Sequence, residues 1–198
     1  MTEICPRPKN NARLRRHEAE PPVNIRRFDA GRHSSEEIAR IHLSVRRRQE
    51  ESGENSFRDI LDSQKDLGDI PAQYLAPGGS FFIAENAEGS VIGFVGLKRD
   101  QSEPAVGILK RLAVLPEYRG RDIGYRLVGE LVGWAKANGC GRIKLATGLT
   151  ERAYGIYARH GFIETGFNAD SQDFLMELDL ENARLGQGPA NMAKDSPP

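Results

Sequence analysis

A strand-like apolar segment runs into a loop rich in arginine and glycine, and the loop opens into an amphipathic helix over residues 108–127. The N–H groups of a helix's first turn lack intrahelical partners and the helix dipole is positive there, so such a junction favours an anion. Arg119 and Arg121 add charge suited to phosphate oxygens, and Gly120 and Gly124 let the backbone approach a ligand closely. The segment therefore predicts a diphosphate-binding loop, with a plain surface turn as the simpler alternative.

Two motifs make this chain resemble the GNAT superfamily of N-acetyltransferases. The first is an apolar triplet that ends a strand, followed by Arg or Gln, two residues, Gly, any residue, and Gly or Ala. It is matched by Leu112-Ala113-Val114, Arg119-Gly120-Arg121 and Ile123-Gly124. The second is Tyr, three residues, then Gly-Phe, matched by Tyr157 and Gly161-Phe162. The resemblance covers residues 23–181.

The resemblance implies an α/β fold of the acyl-CoA N-acyltransferase type, with a central mixed β-sheet flanked by helices. It implies an acetyl-CoA-dependent N-acetyltransferase, with acetyl-CoA as co-substrate and a small amine or amino acid as acceptor. Backbone N–H groups of the triplet would polarise the acetyl carbonyl, and Tyr157 would protonate the leaving thiolate. The implied cofactor-binding residues are Leu112, Ala113, Val114, Arg119, Gly120, Arg121, Asp122, Ile123, Gly124, Tyr125 and Thr150.

Three positions depart from the family pattern. Asp122 stands where the family has Gly, so its charge would repel a diphosphate, while as an N-cap it would stabilise the helix start. Thr150 replaces the Asn that often begins the last helix, and an acid expected near Ile108 is absent. A non-catalytic acyl-CoA-binding sensor or interaction domain is therefore the alternative reading.

No general base stands out in the sequence. Glu85 and Glu103 are the nearest carboxylates, and each is interpreted as a solvated surface charge, so a water chain could serve instead. His160 precedes Gly161 at a predicted helix end and is interpreted as a cation that interacts with the helix dipole. The run 46–48 of three arginines predicts a solvated helix face or the border of a pocket for an acidic substrate. No histidine has a partner at metal-ligand spacing, so we predict no metal.

The elements that must position these residues follow from hydrophobic spacing and turn residues. Ser34 and Glu37 match a capping box before a helix that runs to about residue 48. Further helices are predicted over 57–67, 123–137 and 150–160, and strands over 24–28, 81–84, 91–97, 105–114, 142–146, 162–167 and 174–180. This order predicts a mixed sheet with helices on both faces.

Length and composition limit the number of domains and the classes of partner and location that the chain can have. At 198 residues the chain predicts one domain, expected over 23–181, between a flexible basic arm at 1–22 and a flexible tail at 182–198. Lys plus Arg equals Asp plus Glu, 28 each, so no overall field favours nucleic acid or an anionic membrane. Cys5 and Cys140 form no paired motif, and a reduced, cytoplasmic location is expected. A homodimer stays open, because dimers are common in this fold.

Overall fold

The computed structural model describes residues 21–50, 65–148 and 151–182, without the side chains of 47–50 and 151–152. Seven strands form one sheet: β1 (Asn24–Arg27), β2 (Ser80–Glu85), β3 (Val91–Arg99), β4 (Val106–Val114), β5 (Arg142–Gly148), β6 (Ile163–Asn168) and β7 (Asp173–Asp179). The helices are α1 (Ser35–Glu50), α2 (Ile123–Ala137) and α3 (Glu151–Arg159), with a π-helix at Pro71–Leu75 and a 3-10 turn at Pro116–Tyr118. Residues 1–20 of the predicted arm, residues 183–198 of the predicted tail and most of the helix expected at 57–67 lie outside the described residues.

The strands lie in the order β1-β2-β3-β4-β5-β7-β6. Every neighbouring pair is antiparallel except β4 with β5, which is parallel. The sheet is therefore mixed, as the order of the elements predicted. No helix within the described ranges is long and apolar enough to cross a membrane.

Helices cover both faces of the sheet because side chains of a strand alternate between faces. On one face, Phe82 and Ala84 of β2 pack with the apolar side of α2, including Leu127 and Leu131. On the other face, Phe81 and neighbouring apolar residues pack with α1 and the π-helix. The spacing of Ile123, Leu127 and Leu131 predicted α2 within its observed bounds, and Glu37 N–H donates to Ser34 Oγ at 3.3 Å, as the capping box requires.

Glu85 ends β2 and is 1% exposed, so the prediction of a solvated surface charge is wrong. Arg26 Nε lies 2.9 Å from Glu85 Oε2, and Arg32 Nε lies 2.8 Å from Oε1. Asp29 N–H donates to His33 Nδ1, which leaves the proton on His33 Nε2 to be donated to Glu85 Oε1 at 3.1 Å. Burial raises the pKa of Glu85, but these hydrogen bonds and charges outweigh it and hold the pKa below its usual value.

His42 faces the sheet from the middle of α1 and is 2% exposed, with its ring 6.1 Å from that of Phe94. Burial, followed by the charges of Arg46 and Arg111, lowers the pKa of His42 to about 3. The folded protein therefore keeps this imidazole neutral at pH values where the unfolded chain takes up a proton. Stability contributed in this way is complete above the unfolded pKa near 6.5 and is lost as the pH falls toward 3.

We expect the free energy of unfolding to fall by about 2 kcal/mol between pH 7 and pH 5 on account of His42. His42→Leu removes the titrating group and should flatten this dependence, leaving the smaller contributions of other groups. Urea unfolding of both proteins at the two pH values measures the difference. Equal slopes with pH in the two proteins would contradict the assignment to His42.

Candidate functional site

The two parallel strands at the centre of the sheet pair over only three residues. Val106, Gly107 and Ile108 of β4 pair with residues 142–144 of β5, although β4 continues to Val114 and β5 to Gly148. Within the described residues, β4 has no strand partner on its β5 side from Leu109 to Val114. Those backbone groups must find another partner. The two strands therefore separate beyond Ile108, and we call the space between them the cleft.

A β-bulge bends β4 at the start of this cleft. Phe94 pairs with Ala113 and Gly96 with Lys110, so two residues of β4, Arg111 and Leu112, stand opposite Val95. Arg111 has φ 61°, in the left-handed region that non-glycine residues seldom adopt. A bulge increases the local bend and re-aims side chains, here on the strand that lines the cleft.

The loop between β4 and α2 is the predicted diphosphate-binding loop. Arg119 Nε donates to the Val114 carbonyl at 3.2 Å, and the Arg121 guanidinium lies 5.3 Å from the centroid of the Tyr118 ring. Gly120 has φ 80°, and a Cβ added there would meet no atom within 4 Å. The loop therefore holds two cations beside an open space that a ligand can enter.

Asp122 directly precedes α2 in the left-handed conformation, with φ 53° and ψ 14°. This backbone explains why the related motif has glycine here. The side chain makes no capping hydrogen bond, so the prediction that Asp122 stabilises the helix start as an N-cap is wrong. Instead, Asp122 Oδ1 lies 3.2 Å from Nη1 of Arg159, the last residue of α3.

The end of α3 is fixed on the first turn of α2. The rings of Tyr125 and His160 stack with centroids 4.1 Å apart, and His160 Nε2 lies 2.8 Å from the Tyr125 carbonyl. Burial lowers the pKa of His160, while the hydrogen bond to the Tyr125 carbonyl acts in the opposite direction. Gly124 is buried, and a Cβ there would come within 3.0 Å of Ile156 Cδ1, so this glycine serves the contact between α2 and α3.

Tyr157 lies in α3, in the same apolar core that Leu112 and Val114 of β4 pack against. It is 5% exposed, and its ring centroid is 5.7 Å from that of Phe162. Burial raises the pKa of Tyr157, while the charge of Arg46 acts in the opposite direction. The hydroxyl is therefore protonated at neutral pH, the form that a proton donor needs.

On the α1 face of the sheet, the bulge brings together charged residues that the sequence analysis did not single out. Arg111 Nε donates to Asp66 Oδ2 at 3.2 Å, Lys98 Nζ lies 3.6 Å from the same atom, and Tyr74 OH donates to it at 2.7 Å. Arg46 lies close enough to lower the pKa values of both His42 and Tyr157. We call Lys98 and Arg111 the basic cluster. Its two cations share one carboxylate, that of Asp66.

The structure thus brings most of the predicted site residues to one end of β4. Ala113 is buried on the α1 face, and Ile123, the first residue of α2, is buried in the core on the opposite face. Thr150 lies outside the described residues. Glu103 has a side chain 56% exposed and 3.9 Å from Lys144, as expected for a surface charge. In the part of the chain that the structure describes, no three His, Cys, Asp or Glu side chains form a group that could hold a metal.

A family model described as the acetyltransferase (GNAT) family matches residues 42–162. A crystal structure of an acetyltransferase of the GNAT family from Staphylococcus aureus Mu50 superposes with a TM-score of 0.66 at 25% identity. The superposition covers 80% of this chain and 99% of that one.

Two named relatives are similar to about half of this chain. "N-acetyltransferase family 8 member 2" of Rattus norvegicus is 36% identical over 107 residues, which cover 52% of this chain and 47% of the relative. "N-acetylaspartate synthetase" of Danio rerio is 29% identical over 106 residues, which cover 53% of this chain and 37% of the relative. The chain thus spans about half the length, or less, of these relatives.

Gly120 in the loop and Gly133 in α2 both have open space for an added Cβ, but their backbone conformations differ. No atom lies within 4 Å of a Cβ added at Gly120, which has φ 80°, or at Gly133, which lies inside α2. We expect Gly120→Ala to lower the free energy of unfolding by about 1 kcal/mol because of the left-handed backbone. Gly133→Ala should raise it by up to about 1 kcal/mol, because alanine favours the helix. Thermal unfolding of the two variants measures both effects, and stabilisation by Gly120→Ala would contradict the loop conformation.

Proposed function

The chain belongs to the acetyltransferase (GNAT) family, and on that basis we propose that it transfers the acetyl group of acetyl-CoA to the amine of a small acceptor. The observation that carries the proposal is the unpaired edge of β4 from Leu109 to Val114, which runs directly into the loop that precedes α2. A strand edge with free N–H and C=O groups suits the amide-containing arm of coenzyme A, and the loop suits its diphosphate.

The residues around the loop fit this donor. Leu112, Ala113 and Val114 offer backbone groups to the pantetheine arm, and Arg119 and Arg121 offer charge to the diphosphate. The first intrahelical bond of α2 runs from Arg126 N–H to the Asp122 carbonyl at 2.9 Å, so the N–H groups of residues 123–125 precede it. Those groups, together with Gly120, form the anion-binding end of the site.

In the proposed reaction the acceptor nitrogen forms a bond to the acetyl carbon, and the bond from that carbon to sulfur breaks. The thiolate takes a proton from Tyr157, and the acceptor nitrogen loses one to water. Tyr157 is suited to this step because burial keeps it protonated, while the nearby charge of Arg46 favours release of its proton. Glu85 is not assigned as the base, because three cationic or hydrogen-bonding partners hold it ionised and enclosed.

We further propose an acceptor of the amino-acid type, with a carboxylate near the amine. The support is the basic cluster, whose charge exceeds that of Asp66 beside the bulge that borders the cleft. The guanidinium of Arg111 can bind a carboxylate through two parallel hydrogen bonds. The zebrafish relative named for N-acetylaspartate synthesis, a reaction on an amino acid, agrees with this class. We also propose that the protein acts in the cytoplasm. The free, buried thiol of Cys140 agrees with a reduced compartment.

The activity is tested by incubating the protein with acetyl-CoA and a panel of amines, while free thiol and acetylated product are measured. Thiol release that requires both the protein and an amine supports the proposal. Binding of coenzyme A without transfer to any amine would favour a non-catalytic acyl-CoA-binding domain. Calorimetric titration with coenzyme A, ATP and NAD is the companion measurement, and equal or tighter binding of ATP would contradict the donor assignment.

Tyr157→Phe should lower kcat about a hundredfold and leave the Kd for acetyl-CoA nearly unchanged, because it removes a proton donor that acts in the transition state. Tyr154→Phe is the matched control on the same helix, since the Tyr154 hydroxyl donates to Glu164 Oε2 at an exposed position. Steady-state rates at saturating acetyl-CoA measure both. If the two variants kept the same rate, Tyr157 would be a packing residue only.

Arg111→Gln should raise KM about tenfold for an amino-acid acceptor, because a charge-assisted hydrogen bond is worth about 1.5 kcal/mol or more. The same variant should change KM little for the corresponding amino-acid amide, which lacks the carboxylate. Thermal unfolding checks that loss of the contact with Asp66 has not impaired folding. An equal rise in KM for both acceptors would remove the carboxylate from the proposal.

A further inference from the structure

Asp122 places a carboxylate at the entrance to the proposed phosphate site, and the structure shows what neutralises it. Asp122 has a left-handed backbone, and its side chain makes no capping bond at the helix N-terminus. Its Oδ1 lies instead 3.2 Å from Nη1 of Arg159. The loop thus contains a local ion pair where a glycine would leave only backbone.

Arg159 is held at this place by more than Asp122. Its guanidinium carbon lies 4.2 Å from the centroid of the Tyr125 ring, a cation–π contact with the first turn of α2. Tyr125 is in turn fixed by its stacking on His160 and by the hydrogen bond between His160 Nε2 and its own carbonyl. These contacts hold the cation beside the helix N-terminus even if the carboxylate is removed.

The ion pair itself is weak and can be exchanged. The side chains of Arg159 and Asp122 are 56% and 68% exposed, and surface pairs of this kind contribute little to stability. Only one nitrogen of Arg159 contacts Asp122, whereas a guanidinium carries five N–H donors in a fork that matches phosphate oxygens. A phosphate with its greater charge is therefore the stronger partner for this guanidinium.

We propose that Arg159 is a phosphate-binding residue of the coenzyme A site, which Asp122 holds in position until the cofactor's phosphate replaces it. This inference rests on the proposed function, because it assigns a residue to the same donor site. It also explains how the chain keeps an aspartate next to a diphosphate. The carboxylate's charge is already paired, and its partner is then available to the ligand.

The test is a set of four proteins: wild type, Arg159→Gln, Asp122→Asn and the double variant. Asparagine suits the substitution because it tolerates the left-handed conformation and removes the charge. We expect Arg159→Gln to raise the Kd for coenzyme A about tenfold and Asp122→Asn to lower it severalfold. The decisive comparison is Arg159→Gln in the Asp122→Asn background, where we again expect about tenfold weaker binding.

Four results would overturn the proposal. If Arg159→Gln weakened binding only when Asp122 is present, the arginine would merely shield the carboxylate. If it lowered the melting temperature without changing the Kd, its role would be structural. If the wild type bound no coenzyme A, the donor assignment would fail together with this inference. Wild-type binding and acetyl transfer, with no effect of Arg159→Gln, would remove this inference alone.

Lys136→Gln is the matched control for loss of one positive charge. Lys136 is exposed in the last turn of α2, at the opposite end of the helix from Asp122. Its substitution should leave the Kd unchanged at physiological salt because of screening over that distance. Repeating the titrations with 3′-dephospho-coenzyme A identifies the phosphate. An undiminished effect of Arg159→Gln assigns the contact to the diphosphate, and a lost effect assigns it to the 3′-phosphate.

Discussion

The central strands β4 and β5 separate after three residue pairs, and the proposed chemistry depends on that separation. Strand β4 pairs with β3 from Gly107 to Val114 apart from the bulge at Arg111 and Leu112, and β5 is paired with β7 along its whole length. The unpaired edge of β4 is therefore a stable feature of the sheet. Unpaired backbone groups inside a sheet are costly unless a ligand or solvent satisfies them. A cleft lined by such groups is suited to a ligand that brings its own amides.

The helices α2 and α3 also pack closely on each other beside the cleft. Helix α2 begins where the loop from β4 ends, and α3 packs on it closely enough that a Cβ added at Gly124 would come to 3.0 Å from Ile156 Cδ1. That contact brings Tyr157 into the core shared with Leu112 and Val114. The helix N-terminus, the strand edge and the buried phenol are thus parts of one packed unit. None of them can move far without disturbing the others.

What the sequence could predict was local in origin. Helix α2 was predicted within its observed bounds because Ile123, Leu127 and Leu131 repeat at helical spacing and Asn138-Gly139 ends the run. The prediction of a diphosphate-binding loop also came from residue types within a short segment, and the structure places that segment between β4 and α2. The errors concern partners far away in the chain. Glu85 meets Arg32 and His33 across more than 50 residues, and Asp66 meets Arg111 across 45, so no short-range pattern reveals either pair. The left-handed backbone of Asp122 is likewise a feature of the folded loop that the sequence did not indicate.

The balance of 28 cations and 28 anions in the whole chain conceals an uneven distribution. Arg119, Arg121 and Arg159 surround the start of α2, whereas the basic cluster borders the other side of the bulge in β4. If the acetyl donor and the acceptor each carry an anionic group, these two groups would be drawn toward the cleft from opposite sides. Such an arrangement orients two substrates with charges remote from the atoms that react. Between them Tyr157 lies buried in the apolar core, where burial strengthens the effect of nearby charges such as that of Arg46. The fold thus separates the groups proposed to bind from the group proposed to transfer a proton.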